Sequence, residues 1–296
     1  MTDKRNEETG VGTTGHNWDG IEEWNNPMPR WWVWTFYLTI IWGIGYCIAY
    51  PAWPLINSAT AGLLGYSTRA EVAEQISAVE AQNAELQAAL ATADLNAIKD
   101  QPDLHNYAVQ GGAAVFRNNC SQCHGAGAAG VKASGYPNLL DDAWLWGGTI
   151  EDIAFTVRHG IRNEQSDDTR WSEMPAFARD EILSEEEIAQ VMQHVLAMSG
   201  QDHDAVKAET GATIYADQCA SCHMEDGIGD AELGAPNLTD AIWLYGGTAD
   251  TLTDTIANSR FGVMPAWSED YRAAGGLSDA EINAVAAYVH QLGGGE

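Results

Sequence analysis

Apolar positions fall into three regimes along the chain. Residues 31–49 run for 19 positions without a charge, which as a helix spans roughly 28 Å, close to the hydrocarbon thickness of a bilayer. Trp31, Trp32 and Trp34 in front, and Tyr50 and Trp53 behind, form the aromatic flanks of a span. Pro51 and Pro54 stop the helix. The pattern predicts an anchor over 31–56, preceded by a polar tail over 1–30. A buried core helix and a cleaved leader are the alternatives. Ala59-Thr60-Ala61 resembles a cleavage site, but the apolar run is long and bulky and starts far into the chain.

The second regime is a helix over 68–98 inside a linker over 57–104 that Pro102 closes. Val72, Ile76, Val79, Asn83, Leu86, Leu90, Ala93 and Ala97 recur at alternating steps of 4 and 3, with Asn83 the one polar member. That seam suits docking on a partner or on the rest of the chain; a solvated spacer is the alternative. Thr68 with Glu71 reads as a capping box.

In the third regime the chain repeats itself. Cys120-Ser121-Gln122-Cys123-His124 and Cys219-Ala220-Ser221-Cys222-His223 lie 99 positions apart, as do Pro137-Asn138-Leu139 and Pro236-Asn237-Leu238, and Trp144 with Gly147-Gly148 and Trp243 with Gly246-Gly247. Met174-Pro175 and Met264-Pro265 follow. Each repeat ends in an amphipathic helix after Leu-Ser, from Ser184 to about Met198 and from Ser278 to about Leu292. The predicted domains are 105–200 and 206–296, joined near 200–208.

C-x-x-C-H is the attachment signature of c-type haem. Two thiols three positions apart can add to the two haem vinyl groups, and the next residue, His, then sits under the iron. The covalent sites are therefore Cys120 with Cys123 and Cys219 with Cys222, and the proximal ligands His124 and His223. One such motif could be a redox dithiol or half a zinc site, but two of them, each followed by Pro-Asn-Leu and then Met-Pro, fit neither, and zinc would need a second Cys or His pair per domain that is not suitably spaced. The sixth ligands are Met174 and Met264, because a thioether is a soft ligand and His/Met coordination raises the haem potential. His159 is an alternative to Met174. Met192, Met198 and Met224 read as core filler. The carbonyls of Pro137 and Pro236 are candidate acceptors for the imidazole N–H. Arg158, Arg162 and Arg260 are candidate partners for haem propionates. Local pairing joins His124 to Met174 and His223 to Met264.

The net charge of −28 makes nucleic acid and anionic membrane surface poor partners and a basic protein a good one. Cys47 is the only cysteine outside the motifs and reads as an inert membrane-helix residue. No nucleophile–base pair or nucleotide loop is visible. Lys4, Arg5 and Arg30 precede the helix while Arg69 alone follows it closely, which places the N-terminus in the cytoplasm. Attachment of c-type haem on the outer side of the bacterial inner membrane then makes the domains periplasmic.

The segments Thr14-Gly15-His16-Asn17-Trp18-Asp19-Gly20-Ile21-Glu22-Glu23, Asn26-Pro27-Met28-Pro29-Arg30-Trp31-Trp32, Trp42-Gly43-Ile44-Gly45-Tyr46 and Tyr50-Pro51-Ala52-Trp53-Pro54 closely resemble the N-terminus of subunit III of cbb3-type cytochrome c oxidase, in its single-helix form. The resemblance covers nearly the whole chain. It implies an all-α protein with one N-terminal transmembrane helix, a helical linker and two tandem class I cytochrome c-like domains carrying two c-type haems. It implies a relay of electrons from a soluble or anchored cytochrome c donor, through a complex with a monohaem subunit and a catalytic haem-copper subunit, to oxygen with proton translocation. It also implies a crossed option for the iron ligands, His124 with Met264 and His223 with Met174, which is favoured here over local pairing. A free-standing membrane-anchored dihaem carrier is the alternative function. A dihaem peroxidase fits less well, because it needs an iron without its Met.

Overall fold

A computed structural model describes residues 10–293. Lys4 and Arg5, on which the membrane-orientation argument draws, and the last three residues of the second repeat lie outside the described residues. The chain divides into two compact units between Gln82 and Asn83.

The first unit opens with an antiparallel hairpin, β1 (Thr13–Trp18) and β2 (Ile21–Trp24), where a loose tail was expected. Its cause is local. Asp19 and Gly20 both take positive φ, 50° and 92°, the geometry of a two-residue hairpin turn. The Asn17 side chain accepts from the Gly20 N–H at 2.8 Å and donates to Glu22 at 3.1 Å.

Helix α1 (Arg30–Ala49) buries none of its residues. It is the one described helix long and apolar enough to cross a membrane. Aromatic side chains stack along it at helical spacing, Trp42 on Tyr46 at 5.4 Å and Tyr46 on Tyr50 at 4.8 Å. The helix ends at Ala49, just before the Pro51 expected to stop it, and the chain turns back on its end. Leu63 and Leu64 donate backbone N–H to the carbonyls of Ile48 and Ala49 at 2.9 and 3.0 Å, satisfying groups that a helix end leaves open. Gly62 makes the approach possible: a Cβ there would lie 2.4 Å from the Ala49 carbonyl oxygen.

Helix α2 (Thr68–Ala91) crosses from the first unit into the second. Its cap differs from the expected box. Ser67 accepts from the Ala70 N–H at 3.3 Å, and Glu71 instead receives the Tyr66 hydroxyl at 2.6 Å. The helix also stops before 98, because Asp94 caps a separate 3-10 turn (Leu95–Asp100) by accepting from the Asn96 N–H at 3.1 Å. The seam has two fates. Val72, Ile76 and Val79 are exposed, whereas Leu90 is 1% exposed and Leu86 packs beside it in the core of the second unit.

The second unit continues with α3 (Pro102–Val115), which starts at the Pro102 that ends the linker segment, a π-helical turn (Phe116–Cys120), and α4 (Ser121–His124). Then come α5 (Ile150–His159), α6 (Glu185–Met198), α7 (Ala205–Gln218), α8 (Ala220–His223), α9 (Ala249–Asn258) and α10 (Asp279–His290). Ser184 and Ser278 cap α6 and α10 with complete capping boxes to Glu187 and Glu281.

Two apolar cores form, and neither coincides with one sequence repeat. The first joins Leu104, Ala108 and Phe116 of the first repeat and Ile150, Ile153 and Val157 of α5 to Ile282, Val285 and Val289 of α10. The second joins Ile188, Val191 and Val195 of α6 to Tyr215 of α7 and Leu252 and Ile256 of α9. Each large apolar side chain so buried contributes roughly 1.5–3 kcal/mol. The closing helices are thus exchanged: α10 packs on α3, and α6 packs on α7. Glycines 99 positions apart allow both crossings. A Cβ on Gly112 would lie 2.1 Å from the Ala284 carbonyl oxygen, and one on Gly211 would lie 2.1 Å from that of Gln190.

Candidate haem-binding site

The two C-x-x-C-H motifs sit at matching places, each at the foot of a long helix. The Cys219 N–H continues α7 by donating to the Tyr215 carbonyl at 2.8 Å, and the His223 N–H bonds the Cys219 carbonyl at 2.9 Å. Each His is followed by a turn that brings the chain back under the ring. Gly130 donates to the His124 carbonyl at 2.9 Å and Gly229 to the His223 carbonyl at 3.1 Å. These loops deliver the two prolines. His124 Nδ1 lies 3.3 Å from the Pro137 carbonyl oxygen, and His223 Nδ1 lies 3.0 Å from that of Pro236. That bond fixes each ring and leaves Nε2 free to ligate, the usual arrangement of a metal-bound imidazole. Burial lowers the affinity of both rings for a second proton, opposed only by the proline carbonyls. Burial likewise pushes the Cys120 and Cys219 thiols up to about 11, with Cys123 and Cys222 adding to the effect, so these are not activated thiolates.

Met174 and Met264 are both half-buried, and each docks against the helix of the other repeat. Met264 pairs with Ile161, just beyond α5, through two backbone bonds of 2.9 and 3.0 Å. The Met174 carbonyl accepts from the Ser259 hydroxyl at 2.7 Å, just beyond α9, and Phe177 N–H donates to Ile256 at 3.1 Å. Met264 accordingly packs against the core that holds Cys120, and Met174 against the core that holds Cys219.

The residues fit a covalently bound haem. The indole N–H of Trp144, against the first core, is buried with no partner in the protein, and a propionate oxygen would satisfy it. Gly148 and Gly247 make room for the indoles, since a Cβ there would lie 2.9 Å from Trp144 and 2.5 Å from Trp243. Among the described residues no group of three or more His, Cys, Asp or Glu is gathered as a metal site.

Other candidate residues have protein partners. Arg158 pairs with Asp279 and Arg260 with Asp254. His159 Nδ1 lies 3.0 Å from the Ser166 hydroxyl and 3.1 Å from that of Tyr271. Met192 and Met198 pack in the second core, whereas Met224 is 36% exposed and fills no core.

The sequence reasoning missed the aromatic interlock between the repeats. Trp146 is 5% exposed, and a Cβ on Gly234 would lie 2.3 Å from its indole. Tyr245 covers Gly135 in the same way, at 2.2 Å. The offset of 99 links both the aromatics and the glycines and was the available signal.

Three family profiles match the chain. Residues 10–57 match the N-terminal domain of cytochrome oxidase-cbb3, FixP; residues 108–195 match cytochrome C oxidase, cbb3-type, subunit III; residues 208–293 match cytochrome c. The cbb3-type cytochrome c oxidase subunit CcoP of Cereibacter sphaeroides is 60% identical over 284 residues, covering 96% of this chain and 95% of the relative. CcoP of Rhodobacter capsulatus is 54% identical over 301 residues and the whole of both chains. The subunit FixP of Sinorhizobium medicae is 46% identical over 299 residues, again over both whole chains.

Proposed function

Since the chain belongs to the cbb3-type cytochrome c oxidase subunit III family, the electron-transfer subunit of that oxidase, we propose that it relays electrons through two c-type haems, one per cytochrome c domain. Cys120 and Cys123 hold the first haem and Cys219 and Cys222 the second, with His124 and His223 as proximal ligands. The methionines would be crossed, Met264 holding the iron with His124 and Met174 the iron with His223. Each bound haem supplies an iron that cycles between two oxidation states.

The chain's residues supply the rest. The proline carbonyls orient the imidazoles, the thioether sulfurs of Met264 and Met174 would complete the ligand sets of the bound irons, and the two apolar cores keep water away. With His and Met assigned to each iron, oxygen reduction and the coupled proton translocation belong to the catalytic haem-copper subunit. The domains run over 105–200 and 206–296 by sequence and share helices in space. The N-terminus lies in the cytoplasm and the haem domains in the periplasm, where a soluble or anchored cytochrome c donates and a monohaem subunit lies alongside. The observation that carries the crossed pairing is the packing of each methionine against the core that holds the other repeat's cysteine.

Full-length variants with one haem test the ligands. In a Cys219→Ala/Cys222→Ala chain, Met264→Leu should abolish the Met-to-iron charge-transfer band and Met174→Leu should leave it. The opposite result would establish local pairing. A tagged chain solubilised in mild detergent should bring down a larger subunit containing b-type haem. A lone dihaem protein would favour a free-standing carrier.

A further inference from the structure

Arg162 occupies an unusual place. It follows α5 at a left-handed φ of 52° and is half-buried. The ion pairs formed by its neighbours Arg158, Arg170, Arg179 and Arg260 have no counterpart at Arg162, which has no described carboxylate within 4 Å. Its guanidinium turns instead to backbone. Nε donates to the Ser172 carbonyl at 2.6 Å and Nη1 to the Gly262 carbonyl at 2.9 Å.

Those two carbonyls lie at equivalent points. Ser172 precedes Met174 by two residues, and Gly262 precedes Met264 by two. One side chain therefore holds both methionine-bearing segments. The guanidinium plane is held over Trp146 at 5.7 Å and Phe261 at 5.4 Å from their ring centroids, which restricts it to this orientation. Its own main chain is fastened to the same segments: the Arg162 N–H bonds the Arg170 carbonyl at 2.9 Å, and the preceding Ile161 pairs with Met264. A charged donor bonds a carbonyl more strongly than a neutral one. Arg, unlike Lys, presents several N–H groups in a rigid fork and so can hold two acceptors on different segments.

We propose that Arg162 is the positioning residue for both axial methionines, a single clamp that keeps Met174 and Met264 on their irons together. This rests on the reading of both methionines as ligands and is indifferent to which iron each serves. Loosening the clamp frees both loops, so the two iron–sulfur bonds would weaken together although Arg162 acts only through the backbone at Ser172 and Gly262.

The test uses the full-length dihaem chain in detergent, with Arg162→Gln and Arg162→Lys. Readouts are the Met-to-iron charge-transfer band of the oxidised protein and carbon monoxide binding by the reduced protein, repeated in chains carrying only one haem. Arg162→Gln should lose band intensity and gain carbon monoxide reactivity at both haems. Arg162→Lys keeps the charge but reaches one carbonyl, so one haem alone should change. Both bands intact in either variant, or a change confined to one haem in Arg162→Gln, overturns the clamp. If Arg162→Gln fails to accumulate, the Lys variant decides alone. Met174→Leu and Met264→Leu run alongside: if neither removes a band, the ligand reading fails, whatever Arg162 does.

Discussion

Two adjacent glycines in α3 give a sharp test of the exchanged helices. A Cβ added at Gly111 meets nothing within 4 Å. One added at Gly112 would lie 2.1 Å from the Ala284 carbonyl oxygen, 2.6 Å from its carbon and 2.8 Å from Tyr288 Cβ. Both residues lie inside the helix, so alanine gains about 1 kcal/mol of helix propensity at either. At Gly111 nothing opposes that gain. At Gly112 the clash is with backbone, no rotamer change relieves it, and α10 must move away from a core containing Ile282, Val285 and Val289. Overpacking of this kind costs about 1–3 kcal/mol and occasionally more, and an overlap with main chain belongs at or above the top of that range. The net loss is then about 2 kcal/mol, or a fall in Tm of roughly 4–8 °C for a unit of this size. The assay is thermal unfolding of the detergent-solubilised, haem-loaded chain, followed by far-UV circular dichroism and haem absorbance. Gly111→Ala should leave Tm unchanged or raised. A Gly112→Ala protein melting no lower than Gly111→Ala would refute the α3–α10 crossing.

Three further outcomes follow from the same packing. Asn283, 7% exposed on α10, donates to the Leu90 carbonyl at 2.9 Å; Asn283→Ala should cost about 0.5–1.5 kcal/mol by leaving that carbonyl only its longer 3.4 Å bond from the Ala93 N–H, read as a lower denaturation midpoint. Burial pushes the Asp152 carboxyl up, but bonds from Thr149 and Arg170 outweigh it and hold its pKa below the ordinary value. A depressed folded pKa gives stability that is present above the unfolded value of about 3.9 and is lost as pH falls through the folded one, so Asp152→Asn should flatten the acid limb of a stability-against-pH curve. With a net charge of −28, turnover with a basic donor cytochrome should fall as ionic strength passes physiological; a flat salt profile would remove this chain from electrostatic docking.

Chemistry was more legible in the sequence than architecture. Cys120, His124 and Pro137 lie close enough along the chain for spacing alone to place them, and their counterparts repeat the pattern 99 positions on. The span and its end were legible because nineteen uncharged positions followed by Pro51 need no tertiary context. The fold-back at Gly62 depends on a close backbone approach that hydropathy does not register. The hairpin at Asp19-Gly20 had a clear local signal, obscured by the polar composition around it. The helix exchange had none. The apolar stripes of α6 and α10 fit either repeat equally well, and only the glycines at the crossings bear on the geometry, through contacts with Ala284 for Gly112 and Gln190 for Gly211 that spacing does not announce.

Exchange of α6 and α10 also bears on how the chain matures. The first core cannot close until α10, at the far end of the chain, has been made, although Cys120 and His124 emerge early. Through most of synthesis the first repeat therefore offers an open apolar face, where it can receive its cofactor but can also aggregate, and the second repeat waits on nothing but itself and α6. Closure over so long a separation is slow by the usual dependence of folding rate on contact distance. A nascent chain interrupted shortly before α10 would lack the closing helix of the earlier repeat's core while keeping that of the later one, so a lesion at the C-terminus is felt in the half of the chain that was made first.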